Sequence, residues 1–278
     1  MVASLVITLR EGLEATLILG IILAYLAKTG NRQHFSSVWL GTTAAAIASV
    51  GAAALIFVTV GELNGTAEQI FEGSTMLLAV AVLSYMVVWM REATSPRASL
   101  QRRVEKALNA RSSAALLLLA FLVVVREGIE TVLFLFAAVR TSTPLESTVG
   151  AVLGLLLAVG VGYSIYSGGR RLNLRMFFNV TGALLVLFAA GLLAHAVGEL
   201  QEAGLVPAMI EHVWDTNWLI EQQSGAGSFL RALLGYNASP SIEEVVAYLG
   251  YLAIALRYFL FRPSPTHGRE AQAGGPAA

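Results

Sequence analysis

Two long apolar stretches of this chain are each interrupted at their centre by the same charged pentad, and that repetition restricts the fold more than any other feature. The first copy is Arg10-Glu11-Gly12-Leu13-Glu14, inside an apolar run over about 2–27. The second is Arg126-Glu127-Gly128-Ile129-Glu130, inside about 113–139. About 20 apolar residues are enough to cross a bilayer as a helix. A charge at the middle of such a helix costs about 2.5–3.5 kcal/mol even on the most lenient insertion scales. Three charges per helix, placed alike twice, must therefore face a protein interior or a wetted pathway, and they point to chemistry with cations.

The remaining residues agree with a membrane chain. Of 278 residues, 56% are hydrophobic and 13% charged, with a mean hydropathy of +0.69; soluble domains carry about 25% charged residues. No cysteine is present, so disulfides and thiolate metal ligands are excluded. A metal must be held by carboxylate, carbonyl, imidazole, hydroxyl, thioether or water. The first apolar run lacks a basic leader, exceeds the length of a signal core and carries charges at its centre, so it reads as a retained first span.

Hydropathy gives seven candidate spans, at roughly 2–27, 36–60, 68–90, 113–139, 147–167, 176–198 and 243–261. The expected fold is all-α and polytopic. Alternate connections carry Lys28 and Arg32; Arg91, Arg97, Arg102, Arg103, Lys106 and Arg111; Arg170, Arg171 and Arg175; and Arg257, Arg262 and Arg269. The opposite set holds Arg140 and Arg231. Fourteen basic residues against two place the N-terminus outside and the C-terminus inside. Ten acidic residues, among them Glu62, Glu68, Glu146, Glu199, Glu202, Glu211, Asp215 and Glu221, fall at or near the outer side. There they would draw cations toward an outer vestibule.

Leu9–Leu19 aligns with Val125–Leu135 at an offset of 116 residues. Three spans per unit make the second copy run opposite to the first, an inverted repeat of the kind that places a transport site near the membrane midplane. Glu14 would lie roughly 18 Å from the outer end of its span, and Glu127 and Glu130 roughly 13–18 Å from the end of theirs. The expected organisation is one seven-span transport unit over 1–262. It comprises a first repeat (1–111), a second (112–200), an outer loop (199–242), an unpaired seventh helix (243–261), and a disordered cytoplasmic tail over 263–278.

Glu11 and Glu14 are three residues apart, as are Glu127 and Glu130, so each pair projects from one helix face. Gly12 and Gly128 either admit a neighbouring helix or bare a backbone carbonyl to a passing ion. Four carboxylates suit hard cations such as Fe(III), Mn(II), Mg(II) or Ca(II). Arg10 and Arg126 can neutralise two of them as supporting ion pairs, which leaves two negative charges over. Glu72, in a further Glu-Gly step, is a fifth candidate ligand along the pathway, with Glu68 one turn before it. Glu62, Glu68, His195 and Glu199 are candidates for the outer vestibule; His195 and Glu199 have the i, i+4 spacing of two ligands on one face. His34 and His267 read as inert, and His212 as at most a weak outer cation contact. Met76, Met86 and Met90 read as packing residues. Within 199–242, Trp214 and Trp218 have the spacing of interfacial aromatics, 224–228 reads as a hinge, and Ser241 with Glu244 as a capping box. The segment is either a partly helical cover over the outer mouth or a simple interfacial loop.

The doubled pentad on spans one and four, the Glu-Gly step at Glu72 and the stretch Gly235–Ser241 resemble the oxidase-dependent iron permease family, fungal and bacterial. The similarity extends to about Arg262. It implies a multi-pass permease of the plasma or bacterial inner membrane, with iron as transported substrate and no organic cofactor. By the same resemblance Glu11, Glu14, Glu127 and Glu130 carry the iron, with Arg10 and Arg126 as partners. It also implies extracytoplasmic partner proteins: a multicopper oxidase in fungi, and a cupredoxin-like protein and a haem peroxidase in bacteria. No nucleic-acid partner is expected. Two rival readings remain open. One is a proton-coupled carrier of an organic cation or another divalent metal. The other is an intramembrane redox enzyme, disfavoured because di-iron sites pair Glu-x-x-His motifs whereas both motifs here are Glu-x-x-Glu.

Overall fold

The computed structural model describes residues 1–61, 64–92, 96–109, 112–140, 143–166, 173–220 and 225–261. Glu62, Glu221, the tail from 263 and the basic residues Arg111, Arg170, Arg171 and Arg262 lie outside them. The described residues form α-helices and connections, without strands. Seven long helices are α1 (Val2–Lys28), α2 (Phe35–Gly61), α3 (Thr66–Glu92), α5 (Ser113–Arg140), α6 (Pro144–Tyr166), α7 (Leu174–Glu202) and α9 (Ile242–Phe261); two short ones are α4 (Pro96–Asn109) and α8 (Gly225–Leu234).

Uninterrupted Leu, Val, Ile and Ala runs explain the long helices, and local caps fix their starts. Asn173 accepts a hydrogen bond from the Met176 amide at 3.1 Å to start α7, and Ser241 Oγ accepts from the Glu244 amide at 3.2 Å to start α9. The reciprocal half of the expected capping box is replaced. The Glu244 carboxylate accepts from Asn237 Nδ2 at 2.7 Å.

Four stretches are long and apolar enough to cross a membrane by length and composition: Arg32–Thr59, Thr66–Val88, Pro144–Ile165 and Met176–Glu202. α1 and α5 are as long but hold the motif charges at their centres. α2 and α6 turn Ile47, Val50, Leu55, Val152, Leu155 and Leu156 outward. A soluble protein rarely leaves such broad apolar faces uncovered; a bilayer covers them.

Stripes of small residues set the closest helix contacts. α6 carries Gly150, Gly154, Ala158 and Gly162 at four-residue intervals. A Cβ added at Gly154 or Gly162 would strike Thr8 or Thr16 of α1. α2 carries Gly41, Ala45 and Ser49 at the same interval, and a Cβ at Gly41 would strike the Leu117 carbonyl of α5. Small residues let helix backbones approach closely where apolar burial gives no drive for association. So α1 packs on α6, α2 on α5, α3 on α7 with α9 against it, and α1 and α5 meet between these pairs.

Two connections contain helices. The 91–112 stretch contains α4, whose Leu100, Val104 and Ala107 are buried against α1, α2 and α5. Of the two readings of the 199–242 stretch, the partly helical one fits, since α8 begins at Gly225 within the stretch expected to be hinge-like. It seats deeply: a Cβ on Gly235 would strike the Gly191 backbone of α7, 11 residues before that helix ends at Glu202. That is about 16 Å along the helix. Gly235 also has φ +71°, a left-handed conformation that closes α8 and that glycine adopts without strain.

Candidate functional site

Each motif glycine lies under a neighbouring helix. A Cβ at Gly12 would sit 2.7 Å from Ala158 Cβ of α6, and one at Gly128 would sit 2.8 Å from Ser49 Cβ of α2. Of the two roles open to these glycines, close helix approach accounts for both. With α6 and α2 pressed against the glycines, the flanking glutamates turn toward the α1–α5 contact. One carboxylate oxygen from each of Glu11, Glu14 and Glu127 lies within 4.8 Å of the others. A metal bonded at about 2.1 Å to its oxygens holds them about 3–4.2 Å apart. The trio therefore needs only a small side-chain contraction to grip one ion.

The arginines face their own carboxylates. Arg10 Nη1 donates to Glu11 Oε1 at 2.8 Å and Nη2 lies 3.3 Å from Glu14 Oε1. Arg126 Nη2 donates to Glu127 Oε1 at 2.5 Å and Nε lies 3.6 Å from Glu130 Oε1. The two copies differ in enclosure. The Arg10 side chain is fully buried, whereas that of Arg126 is 49% exposed. Oε2 of Glu11, Glu127 and Glu130 is buried and accepts from no N–H or O–H donor, although the Glu11 and Glu127 carboxyls lie within hydrogen-bonding reach of each other. Buried polar atoms without a partner are rare in native structures, and they cost more when they carry charge. A bound cation removes that cost.

Apolar clusters lie on both sides of this polar layer. Ala3 and Ile7 of α1 join Phe134 and Ala137 of α5 with residues of α3 and α7. Beyond the motifs, Ile22 and Leu26 of α1 join Leu116 and Ala120 of α5 with α4. The carboxylates are thus enclosed along the helix axes, where each charge–charge contact is stronger than in water.

The other expected site residues fall elsewhere. Glu72 is buried and ion-paired with Arg140, which also lies 3.9 Å from Glu68 and 5.2 Å from the centroid of the Phe136 ring. It belongs to a second polar group at the far ends of α3, α5 and α7, where Gln69 donates to Glu202 at 3.1 Å. Glu199 lies within electrostatic range of Glu72, Glu202, Arg140 and Arg231. His195 has both ring nitrogens engaged: Nδ1 donates to the Gly191 carbonyl at 2.9 Å and Nε2 accepts from Arg231 Nε at 3.2 Å. That arrangement leaves the imidazole without a lone pair for a metal and ties α8 to α7. Sequence reasoning missed Arg140 and Arg231, although a signal existed. They are the two exceptions to the basic bias, and both pair with buried groups of the bundle. Met86 packs in the apolar cluster as expected, and its sulfur also lies 2.8 Å from Arg10 Nη1.

The chain matches the Iron permease FTR1 family over residues 1–264. It is similar to a protein of Yersinia pestis named ferrous iron permease EfeU, 37% identical over 265 residues that cover 94% of each chain. Proteins of the same name from Escherichia coli O6:H1 and Shigella sonnei are 36% identical over 260 residues, covering 92% of this chain and 94% of theirs. No solved structure matches. Apolar helices of membrane-spanning length and a family match over nearly the whole sequence agree: the chain is a membrane transporter, not an enzyme, and belongs to the iron permease FTR1 family.

Proposed function

We propose that the protein carries ferrous iron across its membrane through the carboxylates of Glu11, Glu14, Glu127 and Glu130, with Arg10 and Arg126 as counter-ions. The observation that carries this reading is the set of buried oxygens without an N–H or O–H donor on Glu11, Glu127 and Glu130 beside a trio spaced for one ion. Charge supports the ferrous form. Four glutamates against two arginines leave two negative charges, which one divalent cation balances. The relatives' name, ferrous iron permease, agrees. Glu72 and Glu68, paired with Arg140, belong in this proposal to the approach to the site. Any oxidation or reduction of iron falls to extracytoplasmic partners, an oxidase or a cupredoxin-like protein with a haem peroxidase.

The test is uptake by purified protein in proteoliposomes. Radiolabelled Fe(II) kept reduced with ascorbate should accumulate over protein-free vesicles, and excess Mg(II) or Ca(II) should compete weakly. Accumulation of an organic cation or another divalent metal in preference to iron would overturn the assignment.

The same proposal includes seven spans, an inverted repeat and an external N-terminus. Helix pairing supports it. Exchanging α1, α2 and α3 for α5, α6 and α7 turns the α1–α6 pair into α5–α2 and leaves α3–α7 and α1–α5 unchanged. The small-residue stripes support it too, since Gly41, Ala45 and Ser49 align with Gly150, Gly154 and Ala158 at one common offset of 109. The absence of cysteine permits a direct check. Thr143→Cys should react with an impermeant maleimide in intact cells, and Ser99→Cys only after permeabilisation. Labelling of Ser99→Cys in intact cells would reverse the topology.

A further inference from the structure

The Arg10 guanidinium reports what its surroundings are built to hold. It is a cation fully enclosed by protein, and its Nη1 faces both Glu11 Oε1 and Met86 Sδ, each at 2.8 Å. Glu14 Oε1 stands 3.3 Å from Nη2. Two carboxylate oxygens and one thioether sulfur therefore converge on one positive group. Because the sulfur and Glu11 Oε1 share a nitrogen 2.8 Å from each, they are no more than about 5.6 Å apart. That separation puts the sulfur beside the carboxylate site. Methionine has three rotatable bonds and a polarizable sulfur, so it can swing between partners.

We propose that Met86 is a ligand of the transported ion: arriving ferrous iron displaces the guanidinium from Glu11 and Glu14, and the Met86 sulfur turns from Arg10 to the metal. The proposal rests on the glutamate reading and adds a selectivity element to it. Oxygen ligands alone suit Mg(II), Ca(II), Mn(II) and Fe(III) at least as well as Fe(II), whereas a thioether favours softer ions. One sulfur among carboxylates thus tilts the site toward ferrous iron and away from the hard cations that outnumber it. No formal charge is added, which keeps the match between two excess carboxylates and a divalent ion. α3 places Met86 without disturbing the packing, since the same side chain is buried in the apolar cluster that covers one side of the charged layer.

The experiment uses the full chain in nanodiscs, loaded anaerobically with Fe(II) and measured by X-ray absorption at the iron edge. The chain has no cysteine, so any protein sulfur near the iron must come from a methionine. The wild type should show a sulfur neighbour, and Met86→Leu, which keeps volume and burial, should lose it while retaining the oxygen shell. In parallel, the Fe(II) over Mn(II) uptake ratio should fall about tenfold in Met86→Leu, the scale on which support of a metal site is felt. An all-oxygen shell in the wild type, or Met86→Leu with an unchanged ratio, would overturn the proposal. So would an equal loss of uptake for both metals, which marks Met86 as a mere support for Arg10. The two readings fail separately. An all-oxygen shell that disappears in Glu14→Gln leaves the glutamates in place and removes Met86, whereas a sulfur signal that survives all four Glu→Gln changes moves the iron site away from the motifs.

Discussion

Glu11→Gln, Glu14→Gln, Glu127→Gln and Glu130→Gln should each abolish iron uptake while the protein still reaches the membrane folded. The amide keeps the size of the carboxylate and its capacity for hydrogen bonds, but it removes the charge that a divalent ion requires. Glutamine is expected to be tolerated structurally at Glu11, Glu127 and Glu130 because each of these carboxylates has an oxygen to spare. Glu11, Glu127 and Glu130 pair one oxygen with an arginine and leave the other, buried, without an N–H or O–H donor. Losing a charge from this layer also reduces mutual repulsion among four enclosed carboxylates, so the folded protein is not penalised as it would be by loss of an arginine. Arg10→Ala is the contrasting variant. Removing one partner of a buried pair costs about 3–5 kcal/mol, and Arg10 is fully buried, so this variant should express poorly. Arg126, 49% exposed, is screened by its surroundings and its loss should be milder. The measurement is iron uptake normalised to folded protein in the membrane. Near-normal uptake in the four glutamine variants, or uptake restored when the neighbouring arginine is neutralised as well, would make the motifs scaffold and place the iron site elsewhere.

The residue that most resists reading from sequence is Met86. Methionines in an apolar helix have no periodic signature that separates a packing residue from a ligand, and the Arg10 contact joins residues 76 positions apart. By contrast, the motif glutamates were legible because charge inside an apolar run is costly wherever the helix ends up. The long helices were legible for a related reason, their length and continuity. α4 was not, and α8 was legible only as one of two readings: each is short, and what holds it is tertiary. α4 is held by three buried side chains against α1, α2 and α5, and α8 by a backbone contact at Gly191 and the His195–Arg231 bond. His195 had the spacing of a ligand beside Glu199, but spacing along one helix says nothing of what arrives from another. Here Arg231 arrives and takes the nitrogen. The small-residue stripes lay open in the sequence at four-residue spacing, and they identify the partner faces of α1 and α5.

Gly12→Ala and Gly128→Ala should each destabilise the protein and stop transport, and each should be rescued by one further change on the opposing helix. A methyl group at Gly12 would stand 2.7 Å from Ala158 Cβ, well inside the about 3.5–4.0 Å at which carbon atoms rest. Ala158 has no torsion that could move its methyl aside. At Gly128 the new methyl would meet Ser49 at both Cβ and Oγ, and Ser49 is held by its own hydrogen bond to the Ala45 carbonyl at 2.9 Å. Relief must therefore come from moving a helix. Overpacking of this kind costs about 1–3 kcal/mol, and the displacement acts at the motif itself, since Gly12 lies between Glu11 and Glu14 and Gly128 between Glu127 and Glu130. A shift of about 1 Å pulls the carboxylate trio apart, so uptake should fall further than thermal stability does. Ala158→Gly added to Gly12→Ala, and Ser49→Gly added to Gly128→Ala, restore the missing space at the same contact and should recover both quantities. Exchanging the partners, Ser49→Gly with Gly12→Ala, should recover neither. Wild-type stability and uptake in either single variant, or rescue by the exchanged pair, would mean that the helices approach one another elsewhere. The glycines would then have to be explained by their exposed carbonyls instead.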